Sequence, residues 1–254
     1  MNHPHWIAHF RANKNGRPEP DWSAPFSLTG ETLRLLRKSL AEYQLGDGGG
    51  ECCLVAGDAE TYRGASEDAR AVVDARAVVD AWFAEEREHS RLLACAVRRI
   101  GGEFITSTPA FRLFYAIRRT LGVQFEMLVL LIVEIVSTGY YRVLRRHVGD
   151  SPIAAMCRLI LRDEARHIDF HRDRLAARHP RGLGALWKWQ FHLLGQACAW
   201  FLWLGHGRCL RALGGTRAEL FMHVTSGQQN FLTELAERTQ PCAAVTARAW
   251  PSAS

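Results

Sequence analysis

Residues 163–167 read Asp163-Glu164-Ala165-Arg166-His167, and a stretch of the same kind stands earlier in the chain, Glu85-Glu86-Arg87-Glu88-His89. Each puts an acid directly before a Glu and a His three residues after that Glu. Residues three apart share one face of an α-helix. Glu86 with His89, and Glu164 with His167, therefore each aim a carboxylate oxygen and an imidazole nitrogen at one point. Such a donor set suits a first-row transition metal. One Glu-x-x-His in a chain with 11 His would carry nothing. Two of them, on long predicted helices with one helix between, outweigh the competing reading of unrelated surface salt bridges. A ligating His also needs its other ring nitrogen oriented by an acceptor. The preceding acids, Glu85 and Asp163, are the candidates, with bracing across the pair as one arrangement.

The helices that carry these stretches follow from caps and breakers. The second helix spans 66–100 and stops at Gly101-Gly102. It opens with a tandem repeat, Ala69–Asp74 and Ala75–Asp80. A six-residue shift turns the apolar stripe by about 120°, so the repeat reads as a local duplication without function. A third helix runs from about 110 to 147 after Ser107-Thr108-Pro109. A fourth, 152–178, is capped by Asp150 or Ser151 and broken by Pro180-Arg181-Gly182. The first helix opens after Leu28 with Thr29 as N-cap and carries Leu33, Leu36, Leu40 and Tyr43 as its stripe. It then meets Gly46-Asp47-Gly48-Gly49-Gly50, where it either ends or is held by tertiary contacts. Two more helices cover 183–212 and 216–238. No strand pattern is visible, so the fold class is all-α. The expected organisation is an extended N-terminal arm over 1–27, with Trp6, Trp22 and four Pro, and a four-helix unit over 28–178. Additional packed helices over 179–240 and a flexible tail over 241–254 complete it.

The third helix adds a carboxylate. Met127–Val136 is apolar except for Glu134. A buried carboxylate needs a partner or a proton, and a metal ion is such a partner; a buried Arg is the alternative. Glu126, at the edge of the run, is the weaker candidate. A bundle that holds two metals takes one acid from each of two helices and one Glu-x-x-His from each of the other two. The first helix offers Glu42, Asp47 and Glu51 for the remaining position.

The segment Tyr43-Gln44-Leu45-Gly46-Asp47 resembles the Tyr/Phe-Gln-Leu-Gly-Glu segment in the first helix of bacterial ferritin-like domain proteins. Asp163–His167 resembles the second ligand motif of bacterial multicomponent monooxygenases. The resemblance covers about 28–178 and implies a ferritin-like four-helix bundle with two additional C-terminal helices. It implies Asp47, Glu86, His89, Glu134, Glu164 and His167 as ligands of two iron ions, with manganese or a mixed pair open. Glu86 and Glu164 would bridge, and Asp47 and Glu134 would be terminal. Some related N-oxygenases add a His ligand, which makes His171 a candidate ligand or supporting residue, together with Glu85, Asp163, Arg166 and Glu51. The implied activity is a non-haem di-iron oxidase or oxygenase that acts with O2 on an unidentified small molecule. An external electron donor is implied too, since no flavin or iron–sulfur motif is visible. The alternatives are a ferroxidase or other iron-handling protein, which the absence of a Cys-x-x-Cys module disfavours, and a metal-free helical binding protein.

Composition narrows the partners. The net charge of +6 rests on Arg at helical spacing, such as Arg98-Arg99 and Arg145-Arg146, which reads as solvated faces and helix ends rather than a nucleic-acid surface. Seven Cys without a framework point to a reducing, cytoplasmic compartment. The N-terminus lacks the pattern of a signal peptide. The apolar run near 183–213 contains Lys188, Gln190, His192, Gln196, His206 and Arg208. It reads as a buried helix rather than a membrane span, and membrane contact is not expected. Its aromatic residues read as core, a bundle cap, a pocket wall or a homodimer face. His192, His206 and His223 read as packing or surface residues, and Tyr141 as a core or cavity-lining side chain.

Overall fold

The computed structural model describes residues 2–14, 17–48, 69–109, 111–113, 116 and 122–239. Among them the regular structure is entirely helical. The helices are α1 (His3–Asn13), α2 (Gly30–Gly48), α3 (Ala69–Arg99), α4 (Gly122–His147), α5 (Ser151–Arg178), α6 (Ala185–Leu213) and α7 (Arg217–Thr239).

Helix α2 packs on α3, α4 packs on α5, and α3 and α5 also touch. Helices α6 and α7 pair with each other and cover α4, with α6 reaching α2 and α7 reaching α5. One core runs through all of them, from Leu36 and Leu40 of α2, through Leu92, Leu131, Ile135, Met156 and Ile160, to Phe191, Val224 and Phe231. Burial of each such side chain contributes roughly 1.5–3 kcal/mol. At Gly139 of α4 an added Cβ would sit 3.1 Å from Val224 and 3.3 Å from Leu220, which is how closely α7 approaches.

Local chemistry sets the ends. The Asp150 carboxylate accepts from Ile153 N at 3.0 Å and caps α5, with Pro152 in the first turn. The same buried carboxylate pairs with Arg99 at 2.9 Å, and Arg99 also donates to the carbonyls of Trp22 (2.6 Å) and Ala24 (2.8 Å). One guanidinium thus ties the end of α3, the start of α5 and the loop after α1. Gly214, at φ +107, terminates α6 in the left-handed region. Helix α2 continues through Gly46 and Asp47 to Gly48, so the glycine-rich segment does not end it before Asp47.

Three expectations change. The N-terminal segment is not an extended arm throughout. Residues 3–13 are helical, with Asn2 Oδ1 accepting from His5 N at 3.1 Å and Pro4 in the first turn. Trp6 and Phe10, one helical turn apart, bury against Val78, Val79, Trp82, Met127 and Phe170. Trp6 Nε1 also donates to Asp173 at 3.1 Å. Helical structure does begin near 110, at residues 109, 111–113 and 116, but the helix that carries Glu134 starts at Gly122, where φ +79 breaks a continuous α-helix. Helix α6 is only half covered: Phe191, Ala199, Trp203 and Leu210 face inward, while Leu186, Trp189, Phe201 and Leu204 are exposed.

Candidate metal centre

The Glu-x-x-His pairs of α3 and α5 face each other. His167 Nδ1 lies 2.9 Å from Glu86, 3.5 Å from Glu134 and 3.7 Å from Glu164. His89 Nδ1 lies 3.6 Å from Glu86 and 3.8 Å from Glu164. Donor atoms of Glu86, Glu134 and His167 all fall within 4.8 Å of one another. Both imidazoles are fully buried, and Glu134 and Glu164 nearly so. Asp47, from the last turn of α2, joins from the side: its carboxylate accepts from Tyr141 Oη at 3.2 Å and lies in the electrostatic field of Glu86, His89 and Glu134.

Each imidazole is gripped from behind by the opposite helix. His167 of α5 donates through Nε2 to Glu85 of α3 at 3.0 Å. His89 of α3 donates through Nε2 to Asp163 of α5 at 3.2 Å. The acid before each Glu therefore orients the His of the other helix. This bracing leaves both Nδ1 atoms buried, without a hydrogen bond, and turned toward the carboxylates.

The two outer acids are themselves held. Asn13 at the end of α1 donates to Glu85 (2.6 Å) and to Asp163 (2.8 Å). Arg17 pairs with the same two carboxylates at 3.1 and 2.9 Å. Burial works against the Asp163 carboxylate, but the hydrogen bonds from His89 and Asn13 and the Arg17 charge hold its pKa down at about 2. Among the inner acids, burial and the Glu134 charge carry Glu164 well above the carboxylate range. Burial and Glu86 push Asp47 up to about 7. Burial disfavours a charged imidazole, yet Asp163 and Glu86 hold the His89 pKa well above its ordinary value, and Glu134 and Glu86 do the same for His167.

These shifts have one electrostatic origin. Asp47, Glu86, Glu134 and Glu164 bring four carboxylates close together, two of them buried and two half-buried, and such a group demands positive charge. Without a cation, protons on the carboxyls and imidazoles supply it. Two divalent ions would balance four carboxylates and use the two unsatisfied Nδ1 atoms, so the donor set fits a dinuclear centre.

Other expected residues fall differently. Arg166 does not support the centre: it points outward and pairs with Asp169 at 3.4 Å. Glu51 lies outside the described residues. His171 is fully buried one turn beyond His167, edge-on to Trp82 with ring centroids 5.3 Å apart, and neither of its ring nitrogens hydrogen-bonds. Burial, with the Arg174 and His167 charges, holds it neutral, its pKa well below the ordinary value. Glu126 is buried but lies outside the Glu86–Glu134–His167 group. His206 packs against Tyr43 and Tyr140 and bonds Ser39 at 2.9 Å.

Sequence reading missed Asn13, Arg17 and Trp82. Trp82 Nε1 donates to Glu86 at 3.2 Å, and its position four residues before Glu86 was a usable signal. Asn13 and Arg17 gave none, because the segment carrying them shows no helical stripe beyond Trp6 and Phe10. Comparisons with protein-family models, curated proteins and solved structures found no match.

Proposed function

We propose that this chain is a ferritin-like di-iron carboxylate protein that uses O2 to oxidise a small-molecule substrate. The observation that carries the reading is the pair of imidazoles braced through Nε2 by opposite helices, with both free Nδ1 atoms facing the carboxylates of Glu86 and Glu164, and that of His167 also facing Glu134.

The geometry supports a division of labour. Glu86 and Glu164 each stand near both histidines, so they are the bridging candidates. Glu134 stands by His167 and Asp47 within the field of His89, so each would hold one ion from the side. A ferrous pair in this centre would supply the electrons that reduce O2. The chain's own residues do the rest. Glu85 and Asp163 fix the tautomer of each imidazole, with the proton on Nε2 and the lone pair of Nδ1 inward. Tyr141 donates a hydrogen bond to Asp47 and holds its carboxylate at the mouth of the group. Trp82 and Phe10, with ring centroids 5.8 and 6.0 Å from that of His167, and Leu131 and Ile135 beside Glu134, keep water out. Reducing equivalents would come from an external donor, since the chain carries no motif for a second redox group.

Ferrous-loaded protein exposed to O2 should consume it faster than the same iron in buffer, and the iron should stay bound. Uptake no faster than free iron would contradict the reading. Uptake that ends with ferric iron released or mineralised would favour iron handling.

A further inference from the structure

Helix α6 has a second apolar face that no part of the described chain covers. Leu186, Trp189, Leu193, Trp200, Phe201 and Leu204 are each 44–76% exposed. Five of them, at 186, 189, 193, 200 and 204, follow one another by three, four, seven and four residues and share one outward face, with Ala197 in the gap between 193 and 200. At 1.5 Å per residue it is about 27 Å long. Single exposed apolar residues are ordinary, but several large ones sharing one helix face mark a contact surface.

Charge identifies what the stripe meets. The 29 residues of α6 contain no Asp or Glu. The cations Lys188, Arg208 and Arg211 stand at its two ends, exposed Arg178 and Arg181 just precede it, and Arg217 follows with its guanidinium 4.9 Å from the Trp200 ring centroid. A second copy would fit the apolar pattern. An antiparallel pairing centred on Gly195 sets Leu186 against Leu204 and Trp189 against Phe201. The same pairing brings Arg178 and Arg181 of each copy to Arg208 and Arg211 of the other. Like charges then meet at both ends; α6 itself carries no acid, and Glu31 of α2, which pairs with Arg208 at 3.4 Å, offsets only part of that charge. An anionic lipid surface accepts both features. Trp side chains settle at the headgroup level, aliphatic side chains enter the acyl boundary, and the cations pair with phosphates. A groove of about 290 Å³ between α6 and α4, lined by Phe125, Leu128, Trp189 and Leu193, opens beside the stripe and offers room for a segment of one lipid chain.

We propose that the outer face of α6 docks this protein flat on an anionic membrane surface. The inference does not depend on the metal reading.

The test is co-sedimentation of the full chain with vesicles of phosphatidylcholine alone and of phosphatidylcholine mixed with phosphatidylglycerol. The chain should pellet with the mixed vesicles, release in high salt, and stay in solution with phosphatidylcholine. Trp189→Ser/Leu204→Ser and Arg208→Gln/Arg211→Gln should each weaken binding on the order of tenfold or more. Circular dichroism shows whether these surface variants keep their helicity. Failure of the parent chain to pellet with either vesicle overturns the proposal. If that chain also runs as a dimer that Trp189→Ser/Leu204→Ser converts to monomer, the stripe is a seam between two copies.

Discussion

His167 and Glu85 belong to different helices, yet the imidazole Nε2 of one lies 3.0 Å from the carboxylate of the other. The mirror contact, His89 to Asp163 at 3.2 Å, runs in the opposite direction between the same two helices. Both contacts engage a carboxylate that is buried between the helices and the end of α1. Their common result is that two Nδ1 lone pairs converge on one group of carboxylates.

If the cross-brace prepares the ligands, loosening it should cost affinity before it costs structure. Glu85→Gln and Asp163→Asn keep shape and a hydrogen-bonding group but remove the charge that favours the inward Nδ1 lone pair. Each should weaken ferrous binding by about 10–100-fold, read by competition with a chelator, with helicity unchanged. Affinity equal to the parent's would show that the outer acids serve packing alone.

Arg17 should matter although it touches no proposed ligand. It is 10% exposed and pairs with Glu85 and Asp163 at once. Arg17→Met leaves Glu85 with Asn13 and His167, and Asp163 with Asn13, His89 and Arg162 at 3.2 Å, a change of about 3 kcal/mol when a buried pair is broken from one side. A lowered melting temperature is expected, with partial recovery in Arg17→Met/Glu85→Gln, because the second change removes one stranded charge. Additive losses in the double variant would contradict the coupling.

Asp47 separates the two metal positions. Asp47→Asn can still accept the Tyr141 hydrogen bond but brings no charge. Bound iron should fall toward one ion per chain, with the other ion kept by Glu134 and His167. Loss of both ions, or of neither, would mean that Asp47 is not terminal to a single metal.

Proton release gives an independent reading. In the metal-free protein Asp47 titrates at about 7, and Glu164, His89 and His167 all have raised pKa values. A raised pKa means that the proton is kept to higher pH and lost only as pH rises through that value, so Asp47, at about 7, is part-protonated at neutral pH. Metal binding requires the deprotonated forms, so loading should expel on the order of one proton or more per ion, and affinity should climb with pH through 7. An indicator dye in weak buffer measures the release. No release, with affinity flat in pH, would remove the electrostatic argument for the site.

Much of this was readable from local chemistry. The bounds of α3, α5, α6 and α7 lie within a few residues of those expected, because Asp150, Gly214 and Pro180 act on the backbone next to them. The convergence of Glu86 with His89, and of Glu164 with His167, follows from helical spacing alone, as do Glu85 and Asp163 behind them. What could not be read depends on partners distant in sequence. Helix α1 buries two apolar side chains, Trp6 and Phe10, and is secured by Trp82 and Phe170, which lie far along the chain. Arg166 sits among site residues in sequence, but its turn of helix points it at Asp169 and solvent. Helix α6 is apolar on nearly every side, so periodicity could not say which face α4 and α7 would cover.

The most direct test is a metal count. Protein purified anaerobically and loaded with ferrous iron should hold close to two ions per chain, and a His89→Ala/His167→Ala variant of unchanged helicity should hold almost none. A parent chain that retains no iron, or a variant that retains as much as the parent, would contradict the dinuclear centre.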